Sequence, residues 1–388
     1  MKGKKQNLAL CSVWFGMILI FIVCQVNAFS DYNDEPEINP FVENWIKNAT
    51  LEQKIGQMLM IGFEGYTSTD FYPFQQTMCP GGIILFKKNI KNRTQLRQLI
   101  NGVQTVAYQT GPIGMFVSVD LEGGRVVHLP MQVAKQKYLA AAFWGDLYRR
   151  DKNKAIQGIL TQTEDISQLF KDLGFNMNLA PVLDLKNGSA KSIIGDRAFD
   201  EDPITVAELS KTYIRSLQEK GVITVVKHFP GHGMTIVDTH YELPSAIPDD
   251  DELQKHLYPF RVVVDDGVDV VMMSHLLFPE FDGFPASLSY YWVTRELREC
   301  LNFDGIIMTD ALEMSAITKN YQWKTALITG INAGNDLILI SSGEKYIRAA
   351  GEILLNAVNT GLISEERVNT SVRRILRVKG KYGIIRTE

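Results

Sequence analysis

Lys227 to His240 reads KHFPGHGMTIVDTH and holds three of the chain's six histidines, together with a lysine and an aspartate. Imidazoles beside carboxylates are the groups that give and take protons near neutral pH. Pro230, Gly231 and Gly233 forbid a continuous helix, so the run is expected to be a strand end followed by a loop. A loop dense in titratable groups is a poor scaffold and a good site. Asp238 and His240 stand two apart. An aspartate so placed fixes the imidazole tautomer and favours the imidazolium, which can protonate a leaving group and later take a proton from water. The bland alternative is a chance pair on a solvated loop; its place directly after HFPGHG argues against that.

Other candidates end apolar runs. Asp310 closes Gly305-Ile306-Ile307-Met308-Thr309, where a carboxylate suits a nucleophile, a metal ligand or the N-cap of a helix. Asp120 opens Asp120-Leu121-Glu122-Gly123-Gly124-Arg125. Its adjacent glycines let the backbone approach a neighbour closely, and its carboxylate suits sugar hydroxyls. Glu122 and Arg125 are expected to pair as scaffold. His228, His232, Asp238 and His240 also have metal-ligand chemistry, but the glycines between them and the lack of a His-x-His after the first strand argue against a metal. No metal or cofactor is expected. His256 is expected on a solvated helix surface and His275 as a hydrogen-bonded structural histidine. Trp45, Trp292 and Trp323 are assigned to the core.

Eight short apolar runs must position these groups: Met58 to Phe63, Gly82 to Phe86, Met115 to Asp120, Asn176 to Asp184, Val222 to His228, Val268 to His275, Gly305 to Asp310 and Asp336 to Ser341. They are continuous rather than alternating, as in parallel strands buried on both faces. Helical patterns lie between them. One follows the cap Asp202-Pro203 and ends at Gly221; one follows Asp249 and Asp250 and should kink at Pro259; one follows Ser364; and Thr50 with Gln53 forms a capping box. Eight strand-helix units predict an α/β fold, a single-domain (β/α)8 TIM-type barrel. An open doubly wound sheet is the rival, but no GxGxxG follows the first strand. In a barrel, the polar strand ends Asp120, Asp184, Lys227-His228, Ser274-His275 and Asp310 should converge on one face.

The 388 residues are 45% hydrophobic and 22% charged, with a formal charge of -4, which leaves no basic footprint for nucleic acid. Lys2, Lys4 and Lys5 precede an apolar run from Leu8 to Cys24 and then Val26-Asn27-Ala28. Residues 1–28 are therefore expected to be a secretory signal cleaved after Ala28, with an uncleaved membrane anchor as the rival. Residues 29–45 are expected to be a polar linker and 46–388 the barrel. An exported protein follows, periplasmic or held on the membrane facing outward. Cys79 and Cys300 are the only cysteines beyond the leader and are read as two buried thiols; no CxxC or Cys/His zinc spacing exists. No protein partner can be inferred.

KHFPGHG with DTH, GIIMTDALEM, DLEGGRV, NLAPVLDL, GDRAF and PASLS resemble, in the same order from about Leu51 onward, glycoside hydrolase family 3 in its β-N-acetylglucosaminidase branch. The resemblance implies Asp310 as nucleophile, His240 as acid/base and Asp238 as its orienting partner. It implies sugar contacts from Asp120, Arg197, Lys227 and His228, and a retaining exo-hydrolysis of terminal β-linked N-acetylglucosamine from wall fragments or chitooligosaccharides. A Gly231-His232-Gly233 hinge would let the acid/base loop close over the sugar. Two departures stand out: His128 occupies a position where the family often has a sugar-binding arginine, and Ala311 follows the nucleophile where an aspartate is common. A β-glucosidase or β-xylosidase of the same family, a metal-dependent barrel hydrolase and a non-catalytic sugar-binding protein are the alternatives.

Overall fold

The structure is a computed structural model and describes residues 39–189, 193–235 and 242–386. Eight strands form its centre: β1 (Leu59–Ile61), β2 (Gly82–Ile84), β3 (Phe116–Val119), β4 (Met177–Asn178), β5 (Ile223–Phe229), β6 (Val270–Met273), β7 (Ile306–Thr309) and β8 (Ile338–Ile340). Each pairs in parallel with its neighbours in sequence, and β8 pairs with β1. A parallel bridge from Met308 to Leu337 joins β7 to β8, so the sheet closes into the expected barrel. The strands are buried along their whole length, which is why they are written mainly in Val, Ile, Leu, Met and Phe, with the few polar residues, such as Ser118, Asn178 and Lys227, buried too.

Helices separate the strands and face them with apolar stripes. Pro203–Gln218 starts where Asp202 accepts hydrogen bonds from the N–H groups of Ile204 and Thr205, with Pro203 at the first turn. It buries Val206, Leu209, Tyr213 and Leu217. Each such side chain contributes about 1.5–3 kcal/mol when fully buried. Asp250–Asp265 is capped by Asp249 and carries Pro259 within its length. Its inward face holds Leu253, Leu257 and Phe260, and also His256, which is 7% exposed. The surface placement of His256 is thus corrected: it lies four residues before Phe260 and shares the inward face. Glu365–Lys381 follows its Ser364 cap, and the Thr50/Gln53 capping box starts helix Leu51–Gln57.

Residues 40–45, expected as linker, lie in helix Pro40–Asn48. Asn39 caps it, Val42 and Ile46 are buried, and Glu43 pairs with Arg373 at 2.6 Å, so this helix is docked on the domain. Neither cysteine is the buried thiol expected: Cys79 is half-buried and free, and Cys300 is half-buried and held in a disulfide that does not involve Cys79. Trp292 lies in the core. Among the described residues, no helix is long and apolar enough to cross a membrane. The leader assigned to residues 1–28 lies outside them.

Candidate active site

A cavity of about 560 Å³ opens where the C-terminal ends of the strands meet. Asp120, His128, Arg197, Lys227, His228 and Asp310 all line it. They arrive from the ends of β3, β5 and β7, from the loop after β4 and from the hairpin Leu121–Gly123/Val126–Val127. Asp238 and His240 lie outside the described residues.

One wall is a chain of charges. Lys227 Nζ, buried at the end of β5, donates to Asp120 Oδ1 at 2.7 Å and pairs with Glu122 Oε1 at 2.7 Å. Arg197 grips Glu122 with both arms, Nε to Oε2 at 2.7 Å and Nη2 to Oε1 at 2.8 Å. Arg197 Nη2 also lies 3.4 Å from His228 Nε2, and His228 Nδ1 lies 2.6 Å from Asp184 Oδ2. That contact orients the ring between the Asp184 carboxylate and the Arg197 guanidinium. Burial alone would raise the Glu122 carboxyl, but Lys227 and Arg197 hold it far below the usual range. Burial works against the Lys227 ammonium, yet Asp120 and Glu122 raise its pKa. Asp184 is likewise pulled down against its burial by His228. The wall is therefore ionised, rigid and suited to hydroxyl groups.

The expected Glu122–Arg125 pair does not form. Glu122 turns to the buried cations, where a carboxylate gains most, and Arg125 pairs instead with Asp196 at 3.0 Å. Arg125 also donates to the carbonyls of Ile193 and Ile194, tying the loop that carries Arg197 to the hairpin. The glycine pair serves this packing: Gly123 has φ +97°, and a Cβ there would sit 2.1 Å from the Leu139 carbonyl oxygen. The close approach is to the chain's own backbone.

Asp310 faces that wall from the end of β7. Its N–H donates to the Met273 carbonyl at 3.1 Å, and its Oδ1 accepts from the Ala311 N–H at 2.7 Å. Its Oδ2 has no hydrogen-bond partner among the described residues. His275 is the structural histidine expected: one ring nitrogen contacts Ser287 Oγ at 2.7 Å and the other the Ala311 carbonyl at 3.0 Å, which fixes the peptide beside Asp310. Burial would raise the Asp310 carboxyl, but His275, His228 and the Ala311 N–H hold it below its ordinary value. The result is a positioned, ionised carboxylate with one oxygen open, the form a nucleophile requires.

His128 borders the cavity, its ring edge-on to Phe86 at 5.1 Å and its N–H bonded to the Asp120 carbonyl at 3.0 Å. Burial lowers its pKa, so it presents a neutral imidazole to the cavity. Three further groups bear on the site, of which only Glu313 escaped sequence reading. Asp184 orients His228 and also accepts the His232 N–H at 2.6 Å; its place at a strand end was the available signal. Glu313 lines the cavity, accepts from Ser342 at 3.1 Å and is raised by burial. His232 lines the cavity with both ring nitrogens buried. No local pattern marks Glu313, because its surroundings come from distant loops. No group of His, Cys, Asp and Glu among the described residues could hold a metal ion.

Residues 50–378 match the glycosyl hydrolase family 3 N terminal domain. The chain is 30% identical over 377 residues to beta-hexosaminidase A of Pseudoalteromonas piscicida, a match covering 86% of this chain and 61% of that one. It is 30% identical over 347 residues to a beta-hexosaminidase of Hydrogenovibrio crunogenus, covering 85% and 90%. Among solved structures, a glycoside hydrolase family 3 beta-N-acetylglucosaminidase from Paenibacillus sp. str. FPU-7 superposes with a TM-score of 0.81 at 35% identity, covering 87% of this chain and 63% of that one. The chain thus spans about three fifths of the length of the first and the last of these relatives.

Proposed function

The chain belongs to glycosyl hydrolase family 3, and from that premise we propose that it is a retaining exo-β-N-acetylglucosaminidase. The observation that carries this reading is Asp310: an ionised carboxylate with one open oxygen, facing a wall of charged hydrogen-bonding groups across a cavity. The names of the relatives support the substrate class.

In this mechanism the hydroxyls of the terminal sugar bind Asp120, Lys227, Arg197 and His228. Asp310 attacks the anomeric carbon from below while His240, oriented by Asp238, protonates the glycosidic oxygen. The bond to the aglycone breaks and a glycosyl-aspartate ester forms. Neutral His240 then takes a proton from water, which attacks the same carbon and releases the sugar with its configuration kept. A histidine suits this double duty because its ordinary pKa of about 6.5 lies close to neutrality. The basic and apolar order of residues 1–28 supports an exported enzyme acting on wall fragments or chitooligosaccharides.

A fluorinated slow substrate of the N-acetylglucosaminide series should add one glycosyl mass to the peptide that contains Asp310, and proton NMR should show the β-anomer released first. A label on any other residue, or initial release of the α-anomer, would overturn the mechanism.

A further inference from the structure

Glu313 follows Asp310 by three residues and lines the same cavity. In the closed ring of eight strands, β7 stands across from β3 and β8 across from β4. Glu313 lies on the loop after β7, and its Oε1 accepts from the hydroxyls of Ser341 and Ser342 just beyond β8. It therefore borders the cavity on the side opposite Asp120, Glu122 and Arg197. Its Oε2 has no hydrogen-bond partner, and no cation pairs with the carboxyl among the described residues. In this it differs from the wall, where Lys227 and Arg197 match the carboxylates. Burial raises the Glu313 carboxyl, with the serine hydroxyls opposing the rise.

No open cation offsets it. Arg197, Lys227 and Arg125 line the cavity from the far side, the first two paired with Glu122 and the third with Asp196. The cavity continues past Ser342 into a side pocket of about 110 Å³, whose Lys88 and Arg348 are paired with Glu64 and Glu344. A β-glycoside of this sugar carries its leaving group equatorially on C1, pointing away from O4. With the ring hydroxyls on the wall and C1 against Asp310, the leaving sugar extends toward Glu313. A second N-acetylglucosamine is uncharged there. A muramic acid linked through O4 bears a lactyl ether on the adjacent O3, so its carboxylate arrives beside the bond to be broken. Two like charges held close in a partly dry cavity repel strongly.

Resting on the substrate class proposed above, we propose that Glu313 selects the leaving group: it admits an uncharged sugar, as in a chitooligosaccharide, and opposes one that carries a carboxylate beside the linkage, as in a wall fragment. The charged wall holds the terminal sugar in either case. Glu313 acts on what is attached to it.

The test measures kcat/KM on four substrates: p-nitrophenyl β-N-acetylglucosaminide, diacetylchitobiose, the N-acetylglucosaminyl-N-acetylmuramic acid disaccharide, and the same disaccharide with its lactyl carboxylate converted to the amide. Wild type should prefer the amide to the acid about tenfold. Glu313→Gln keeps the shape and an acceptor for the serines but removes the charge. It should bring that ratio close to one by a gain on the acid, with the rates on chitobiose and the p-nitrophenyl glycoside within about twofold of wild type. Thermal melting verifies that the variant is folded, and the wild-type comparison of acid with amide reads the charge without any variant. A wild type indifferent to the lactyl charge overturns the inference. So does a folded Glu313→Gln that keeps the tenfold ratio, or one that loses activity equally on all four, which would make Glu313 a support for the Asp310 loop. A wild type that hydrolyses the p-nitrophenyl β-glucoside in preference to the N-acetylglucosaminide fails separately, because it removes the substrate class itself.

Discussion

The two ends of the barrel each bury a lysine and a carboxylate, and they treat them in opposite ways. At the C-terminal end, Lys227 lies between Asp120 and Glu122 beside an open cavity, with Asp310 Oδ2 and both His232 nitrogens left unpaired among the described residues. At the N-terminal end, Asp336 precedes β8 and every valence is taken. Its Oδ2 accepts from Arg298 at 2.7 Å and the Ile307 N–H at 3.0 Å; its Oδ1 accepts from Ser371 at 2.8 Å and from Arg367 and Arg374 at 3.3 Å each. Lys379, on the same helix as Ser371 and Arg374, is fully buried, with Nζ donating to Gln57 Oε1 at 2.6 Å and the Gly114 carbonyl at 2.8 Å, and no carboxylate among the described residues pairs with it. Burial pushes its amine well below the ordinary lysine value, whereas Lys227 is raised by its two carboxylates. Saturated charge fastens the terminal helix to the barrel; unsaturated charge awaits a ligand.

That contrast can be broken in order of effect. Asp310→Asn should lower kcat by about ten-thousand-fold or more while the melting temperature and product binding stay close to wild type. Substantial residual turnover would move the nucleophile elsewhere. Asp336→Ala should do the reverse. It leaves three arginines around an empty site and should cost about 3–5 kcal/mol in denaturant unfolding, with kcat/KM of the folded fraction unchanged. Full stability would show that the lower cluster does not fasten the helix.

Lys379→Met gives the smallest and most diagnostic effect. The unfolded lysine keeps its proton up to about pH 10.4, while the buried one gives it up at a lower pH. Wild-type stability from this group therefore rises with pH between the folded and unfolded values, because the unfolded state binds more protons there. Methionine removes that slope and leaves Gln57 Oε1 and the Gly114 carbonyl unpaired, at a cost of about 1–3 kcal/mol. The variant should compare best with wild type at pH 6 and worst at pH 9, with activity unchanged throughout. A stability difference that does not vary with pH would show that the buried lysine keeps its proton.

Legibility followed chain distance. The Asp202 cap and the stripe Val206, Leu209, Tyr213, Leu217 were readable because a helix and its inward face depend on residues a turn or two apart. Asp310, Asp120 and Lys227 were readable because each interrupts an apolar run at its end. The partner of Glu122 was misread as Arg125, three residues away, because the true partners Arg197 and Lys227 come from other loops. His256 was misplaced because its helix is wide enough on the inward side to bury an imidazole beneath Gly231 and Gly233, a contact visible only once the loop after β5 has folded onto it.

Periodicity, caps and interrupted apolar runs are local properties, and they settled the eight-fold strand and helix order, the closed barrel that follows from it and the strand ends that carry chemistry. Which charges pair, which valences stay open and which imidazoles lose their water depend on groups brought together from far along the chain. Barrel closure makes those choices, because it decides how many opposite charges and how much solvent reach each buried atom.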